Sequence, residues 1–443
     1  MVRHGQSTYN LQGRIQGLCD ESFLTELGQT QASKVGHALL GLPIDAVYCS
    51  PLKRANQTAS LIVETLRGDV PNLPDPVQSA DIKEISLPLW EGLSFDEAEV
   101  KYPDEFRAWR HHPDTMMMQK PGEAPFYPFQ NLHQRAKRFW QSVLPNHLGQ
   151  TLVVVAHSAI NRALISTALG LKIDKHNQLH QSNCAISVLN FSGLLGEPVQ
   201  LESMNITSHV DEPLPPMRKH HYGPRLLLVR HGETDWNRDK RFQGQMDIPL
   251  NDKGRSQGQK AAEFLKTIPI DAAVSSSMVR PKETAELILQ HHPDIELTLD
   301  DGLREISHGA WEGLFEADIE AGYPGLLKQW QNSPETVQMP QGENLQDVWQ
   351  RAIAAWRAIV AAHSHSDQKV TVLVAAHDAV NKAILCHVVG FGPEQFWTFK
   401  QGNGAVSVID YPNGVDSPPV LKAMNITTHL SGSVLDKTAA GAL

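Results

Sequence analysis

The chain of 443 residues holds only four cysteines, Cys19, Cys49, Cys184 and Cys386, and no two of them form a CxxC pair. Such spacing excludes a disulfide framework and a cysteine zinc site, and it assigns the thiols to a reducing setting as small core residues. Long apolar runs are missing too. The longest, Leu226 to Val229 and Leu152 to Ala156, fall far short of the roughly 18 residues a bilayer crossing needs. No apolar stretch follows Met1, so neither a secreted nor a membrane protein is expected. Positive charge is in deficit, with 39 Lys+Arg against 49 Asp+Glu and a net charge of −10, which argues against a nucleic-acid partner. The His-His pairs at 111/112, 220/221 and 291/292 lack Cys or carboxylate at ligand spacing and read as exposed or loop residues, so no metal and no cofactor are expected. What remains is an ordinary globular composition, 41% hydrophobic and 20% charged, long enough for two or three domains.

A duplication organises the whole length. Arg3-His4-Gly5-Gln6-Ser7-Thr8-Tyr9-Asn10 pairs with Arg230-His231-Gly232-Glu233-Thr234-Asp235-Trp236-Asn237, an offset of 231 minus 4, or 227. The offset shrinks to 377 minus 157, or 220, between His157 and His377, as small loop indels produce. Both copies close alike, with Met204-Asn205-Ile206-Thr207 against Met424-Asn425-Ile426-Thr427; the Asn-Ile-Thr triplets match a glycosylation pattern that an intracellular chain does not use. A repeat this long makes each copy a domain: 1–210 and 225–430, joined by a Pro-rich surface linker at 211–224 and followed by a frayed tail at 431–443.

Within each copy short apolar runs alternate with longer helical patterns, the signature of an α/β fold with a mostly parallel sheet flanked by helices. Thr25 and Asn251 read as helix N-caps. Thr151 to His157, Thr371 to His377 and Arg225 to Gly232 read as buried strands, each delivering a histidine to the carboxyl end of the sheet, where open α/β sheets place their ligand crevice.

Both copies keep the same set in order: an Arg-His-Gly turn, an Arg in a Ser-containing loop, a Glu and a strand-end His. Two guanidinium forks and two imidazoles suit a phosphoryl group of about two charges. A neutral imidazole can also attack phosphorus, and a Glu can protonate the leaving alkoxide and then activate water.

These residues resemble the histidine phosphatase, or phosphoglycerate mutase-like, superfamily over both halves. The resemblance rests on Arg3-His4-Gly5, Ser50 to Ala55, Glu84 before Trp90-Glu91-Gly92 and Val155-Ala156-His157, and on their counterparts in copy 2. It implies two tandem phosphoglycerate mutase-like domains. By its pattern His4 and His231 are nucleophiles and Glu84 and Glu305 proton donors, while Arg3, Asn10, Arg54, His157, Arg230, Asn237, Arg280 and His377 bind phosphate. The Glu-to-His interval, 157 minus 84 or 73 and 377 minus 305 or 72, is short for the mutases of the family and favours transfer to water. A mutase, or one catalytic copy beside one phosphate-sensing copy, is the alternative. Copy 1, through Gly13 to Gly17, Val155 to Leu164 and Gln181-Ser182-Asn183-Cys184, is similar to the chloroplast 2-carboxy-D-arabinitol 1-phosphate phosphatases. That similarity implies a small phosphorylated sugar as substrate and a photosynthetic source, the cytoplasm of a cyanobacterium or a plastid stroma. No reading of oligomeric state follows.

Four details stand apart. Arg14 and Arg241 are open between a substrate contact and a salt bridge, and Trp90 and Trp311 read as core anchors. Met116-Met117-Met118 reads as a flexible apolar loop near the pocket mouth. Leu87-Pro88 replaces His308-Gly309, and Asp378 stands where copy 1 has Ser158; inward, its carboxylate repels substrate, and outward it buttresses the loop. Only Met1-Val2 precede Arg3, against Arg225 to Val229 before Arg230, which suggests a start farther upstream and a weakened copy 1.

Overall fold

In the computed structural model, residues 1–218, 221–364 and 369–438 are described. They divide into two units, Met1–Leu201 with Asn205–Pro215, and Glu202–Met204 with Pro216–Leu443.

The strands of the first unit are β1 (Val2–Arg3), β2 (Ala46–Cys49), β3 (Val77–Gln78), β4 (Leu152–Ala156), β5 (Ile186–Phe191) and β6 (Val199–Ile206), in the order β3-β2-β4-β1-β5-β6. The first four run parallel and β5 is antiparallel to β1. The second unit repeats this with β7 (Arg225–Arg230), β8 (Ala272–Ser276), β9 (Leu297–Asp300), β10 (Thr371–Ala376), β11 (Val406–Asp410) and β12 (Val420–Ile426), ordered β9-β8-β10-β7-β11-β12. Here too the first four are parallel and β11 is antiparallel to β7 and β12. Strands covered on both faces read as unbroken apolar runs, and β7 and β10 are buried at every position. Strand β1 has two residues where β7 has six, as the few residues before Arg3 led us to expect.

Helices pack in matching pairs: Glu26–Ala38 with Lys53–Leu66 and Pro128–Val143 with Ser158–Leu169, then Asp252–Leu265 with Val279–Leu289 and Leu345–Ala362 with Asp378–Val389. Thr25 and Asn251 are N-caps, accepting from the amides of Gly28 and Gly254. Trp90 and Trp311 are wholly buried core anchors; truncating such a side chain costs about 3–5 kcal/mol. Among the described residues no helix is long and apolar enough to cross a membrane.

Several sequence expectations change. The segment after Ser431 is not frayed through Thr438: Val434 and Thr438 are buried, Asp436 Oδ2 accepts from Asn425 Nδ2 at 3.3 Å, and the Thr438 carbonyl accepts from the Asn403 amide at 3.4 Å. A short polar segment is held there because a carboxylate meets buried donors; residues 439–443 lie outside the described set. The 211–224 stretch is only partly a surface linker, since Leu214, Pro215, His221, Gly223 and Pro224 are buried. His221 lies in a loop but is buried rather than exposed, and its neighbour His220 is outside the described residues. Met116 and Met118 belong to the core of the first unit rather than to a flexible loop, and only Met117 is exposed.

Candidate active site

The Arg-His-Gly turn is shaped by a close approach of two backbones. An added Cβ on Gly5 would lie 2.3 Å from the Gly28 carbonyl oxygen, and one on Gly28 would lie 2.0 Å from that of Gln6. The helix that Thr25 caps thus abuts the turn end-on, which only glycine permits. Gly232 and Gly254 repeat the contact in the second unit.

This turn sets the tautomer of His4. Its Nδ1 lies 2.7 Å from the Gly5 carbonyl, which can only accept, so Nδ1 carries the proton and Nε2 keeps its lone pair. Burial first, and then Arg54 and Arg3, push His4 well below the usual histidine range, leaving it neutral at neutral pH.

Around His4 stand groups with unspent donors. Arg54 spends Nη1 on the Cys19 carbonyl (2.9 Å) and Nη2 on that of Gly17 (3.0 Å), while its buried Nε has no partner. Arg3 spends Nη1 on the Gln181 carbonyl (2.8 Å), and its buried Nε is likewise unpaired. His157 meets Ser50 Oγ through Nε2 at 2.8 Å and stands edge-on to His4, ring centroids 5.1 Å apart, with buried Nδ1 unpaired. Two orphaned guanidinium donors and an unpaired imidazole nitrogen beside one histidine are costly unless a ligand satisfies them.

Glu84, in the loop after Ala80–Ile82, closes the set, its carboxylate held at the start of the helix Ser158–Leu169. Its carboxylate accepts from the amides of Ile85 (2.8 Å), Ala159 (3.2 Å) and Ile160 (3.2 Å). Asn10 contributes less directly. Its Oδ1 is held by Ser7 and by Asn183 Nδ2, which also donates to the His4 carbonyl.

The second unit repeats the set with three differences. His231 Nδ1 again faces a carbonyl, that of Gly232 at 2.7 Å, but Arg280 Nε donates to His231 Nε2 at 3.2 Å and engages the lone pair that His4 keeps free. Asp378 turns inward: Oδ1 lies 3.3 Å from Arg230 Nη1 and Oδ2 2.6 Å from Lys382 Nζ. Last, the acid and the first arginine are more deeply buried. Glu305 is 3% exposed and Arg230 4%, whereas Glu84 and Arg3 are half-buried. Burial, then Asp378, raises the Glu305 carboxyl above the usual range.

A model described as the histidine phosphatase superfamily (branch 1) matches residues 1–205 and 226–427. The chain belongs to that superfamily. Membership and its phosphatase relatives together make it a phosphatase, built on the α/β fold its motifs implied. A 2-carboxy-D-arabinitol-1-phosphatase from Triticum aestivum is 31% identical over 97% of this chain and 86% of its own. The "Probable 2-carboxy-D-arabinitol-1-phosphatase" of Arabidopsis thaliana is 30% identical over 97% of this chain and 87% of its own. Among solved structures, a mycobacterial glucosyl-3-phosphoglycerate phosphatase is 28% identical, covering 45% of this chain and 98% of that one at a TM-score of 0.41.

Some residues that shape the histidine phosphatase pockets went unread in the sequence. Arg135 and Arg351 hold the carbonyls of Glu84 and Glu305, at 2.9 and 2.8 Å, from the helices Pro128–Val143 and Leu345–Ala362. Ser50 and Ser276 orient the second histidines, and Thr58 and Thr284 accept from the amides of Gly5 and Gly232. Their recurrence at equivalent places was the available signal. Arg14 and Arg241 form no salt bridge among the described residues: each donates to a loop carbonyl, Gly92 and Gly313, at 2.7 Å. Among the described residues no group of three or more His, Cys, Asp or Glu is arranged to hold a metal ion.

Proposed function

We propose that the first unit hydrolyses small phosphorylated sugar derivatives through a phosphohistidine, with 2-carboxy-D-arabinitol 1-phosphate or a related acidic sugar phosphate as substrate. The observation that carries the reading is the group of buried, unpaired nitrogens, Arg3 Nε, Arg54 Nε and His157 Nδ1, on the residues beside a neutral His4 whose Nε2 keeps its lone pair. The substrate class is supported by the wheat and Arabidopsis relatives, which align with nearly the whole chain.

The phosphoryl oxygens bind to the guanidinium donors and to His157. His4 Nε2 attacks phosphorus in line with the ester oxygen. The phosphorus–oxygen bond breaks as Glu84 delivers its proton to the leaving alkoxide, and the alcohol departs. Glu84, now a carboxylate, takes a proton from water. The water oxygen attacks phosphorus, the phosphorus–nitrogen bond breaks and inorganic phosphate leaves with His4 restored. Glu84 is positioned for both proton transfers by the amides of Ala159 and Ile160. Arg230, Asn237, Arg280, His231, Glu305 and His377 supply the same groups in the second unit.

The test is phosphate release from carboxylated and bisphosphorylated pentitols, sugar phosphates and glycerate phosphates, for the wild type, His4→Ala and His231→Ala. Hydrolysis of the acidic sugar phosphates, abolished by His4→Ala, is expected. Turnover independent of both histidines would sink the reading. Glu84→Gln slows release by about 10²- to 10⁴-fold and keeps phosphate binding.

A further inference from the structure

Position 378 is where the two pockets differ in charge. Copy 1 carries Ser158 and Arg162; copy 2 carries Asp378 and Lys382. The cation is kept and a carboxylate is added, so this pair of positions is one charge more negative in the second unit. That carboxylate is 5% exposed and is shared between Arg230 and Lys382. Lys382 is further held over the rings of Trp397 (4.5 Å) and Phe396 (5.3 Å), which fixes the pair in place. In copy 1, Arg162 instead donates to Ser158 O and Asn177 Oδ1, and among the described residues no carboxylate forms an ion pair with Arg3.

We propose that Asp378 is a specificity-determining residue of the second pocket: its carboxylate takes the place of an incoming anion on Arg230 and turns away phosphomonoester dianions. The proposal rests on the reading of both pockets as phosphate cradles. An anion entering the second unit must displace a buried carboxylate from its partner and then sit beside it among buried residues. A like charge at such range penalises binding far more than it does at an exposed position. The Arg280–His231 hydrogen bond at 3.2 Å has the same sense, since the arginine is satisfied internally while no anion is bound. In copy 1 the matching Arg54 Nε waits unpaired.

Inorganic phosphate titrated calorimetrically into the full chain tests this without depending on turnover. The wild type is expected to bind one phosphate per chain tightly, at the first pocket. Asp378→Asn, which keeps the volume, and Asp378→Ser/Lys382→Arg, which reproduces the Ser158–Arg162 pair, are expected to bind two, the second affinity rising on the order of tenfold. Ser158→Asp is expected to weaken the first site by a similar factor. In a His4→Ala background, which by itself is expected to hydrolyse none of the acidic sugar phosphates, the two Asp378 variants should restore measurable turnover at the second pocket, a gain that a merely structural role does not produce. Two equal sites in the wild type, or an unchanged second affinity in both well-folded variants, would overturn the proposal. Phosphate binding with no hydrolysis of any ester would sink the catalytic reading and leave this one standing.

Discussion

Arg135 grips Glu84 by its main chain and not by its carboxylate: Nη2 donates to the Glu84 carbonyl at 2.9 Å, and Nη1 to that of Lys83 at 2.7 Å. The side chain is thereby left to the amides of Ala159 and Ile160. A residue on the helix Pro128–Val143 thus sets where the proposed acid stands, without touching substrate.

Arg135→Ala should accordingly lower kcat by about ten- to a hundredfold through misplacement of the acid, with KM little changed. Steady-state kinetics in a His231→Ala background, where only the first unit turns over, checks this. An unchanged kcat would mean that the loop holds Glu84 unaided.

Gly28→Ala should disturb the turn that carries His4, because the added Cβ falls 2.0 Å from the Gln6 carbonyl oxygen. Backbone must move, at about 1–3 kcal/mol of stability. Urea unfolding measures the loss, and kcat/KM should fall with it. Gly254→Ala does the same in the second unit, whose added Cβ meets the Glu233 carbonyl at 2.0 Å.

His308 lies among Phe242, Trp311 and Trp330 with both ring nitrogens unpaired, and burial pushes it down to about 3. Its folded value is depressed, so the stability tied to its neutral form is present above the unfolded value and is lost as pH falls from roughly 6.5 toward 3. His308→Leu, the residue copy 1 carries as Leu87, should remove this share of the acid sensitivity, about 1.4 kcal/mol per pH unit within that window. Urea midpoints recorded from pH 7 to pH 4 for both proteins would show it, and parallel curves would contradict it.

Asn205 and Asn425 are not glycosylation acceptors but buried struts. Each has a left-handed backbone, φ 58° and 55°, and accepts through Oδ1 from the loop that holds the first arginine of its copy: from Ser182 at 2.6 Å and from Gly402 at 2.7 Å. Asn205→Ala should cost about 1–3 kcal/mol by orphaning the Ser182 amide. Asn205→Gly spares the backbone strain and separates the two causes. Equal stability of all three proteins by urea denaturation would refute the assignment.

The linear chain carried its duplication, its alternation of strands and helices and its paired Arg-His-Gly, Arg, Glu and His motifs, because burial imposes period and order on residues and a phosphate site demands particular side chains. The helix caps Thr25 and Asn251 were legible for the same local reason. What a one-dimensional pattern does not hold is the direction of a side chain. Asp378 could have pointed either way until the helix it opens was docked beside Arg230. Arg14 and Arg241 are open in sequence between a substrate contact and a salt bridge, and their ties to the Gly92 and Gly313 carbonyls emerge only when the chain returns there. The polar stretch after Ser431 resembles a tail until Asp436 meets Asn425. Local propensity and motif depend on neighbours in sequence, whereas burial, the partner of a charge and the openness of a pocket depend on residues brought from tens to hundreds of positions away, and these separate the two copies.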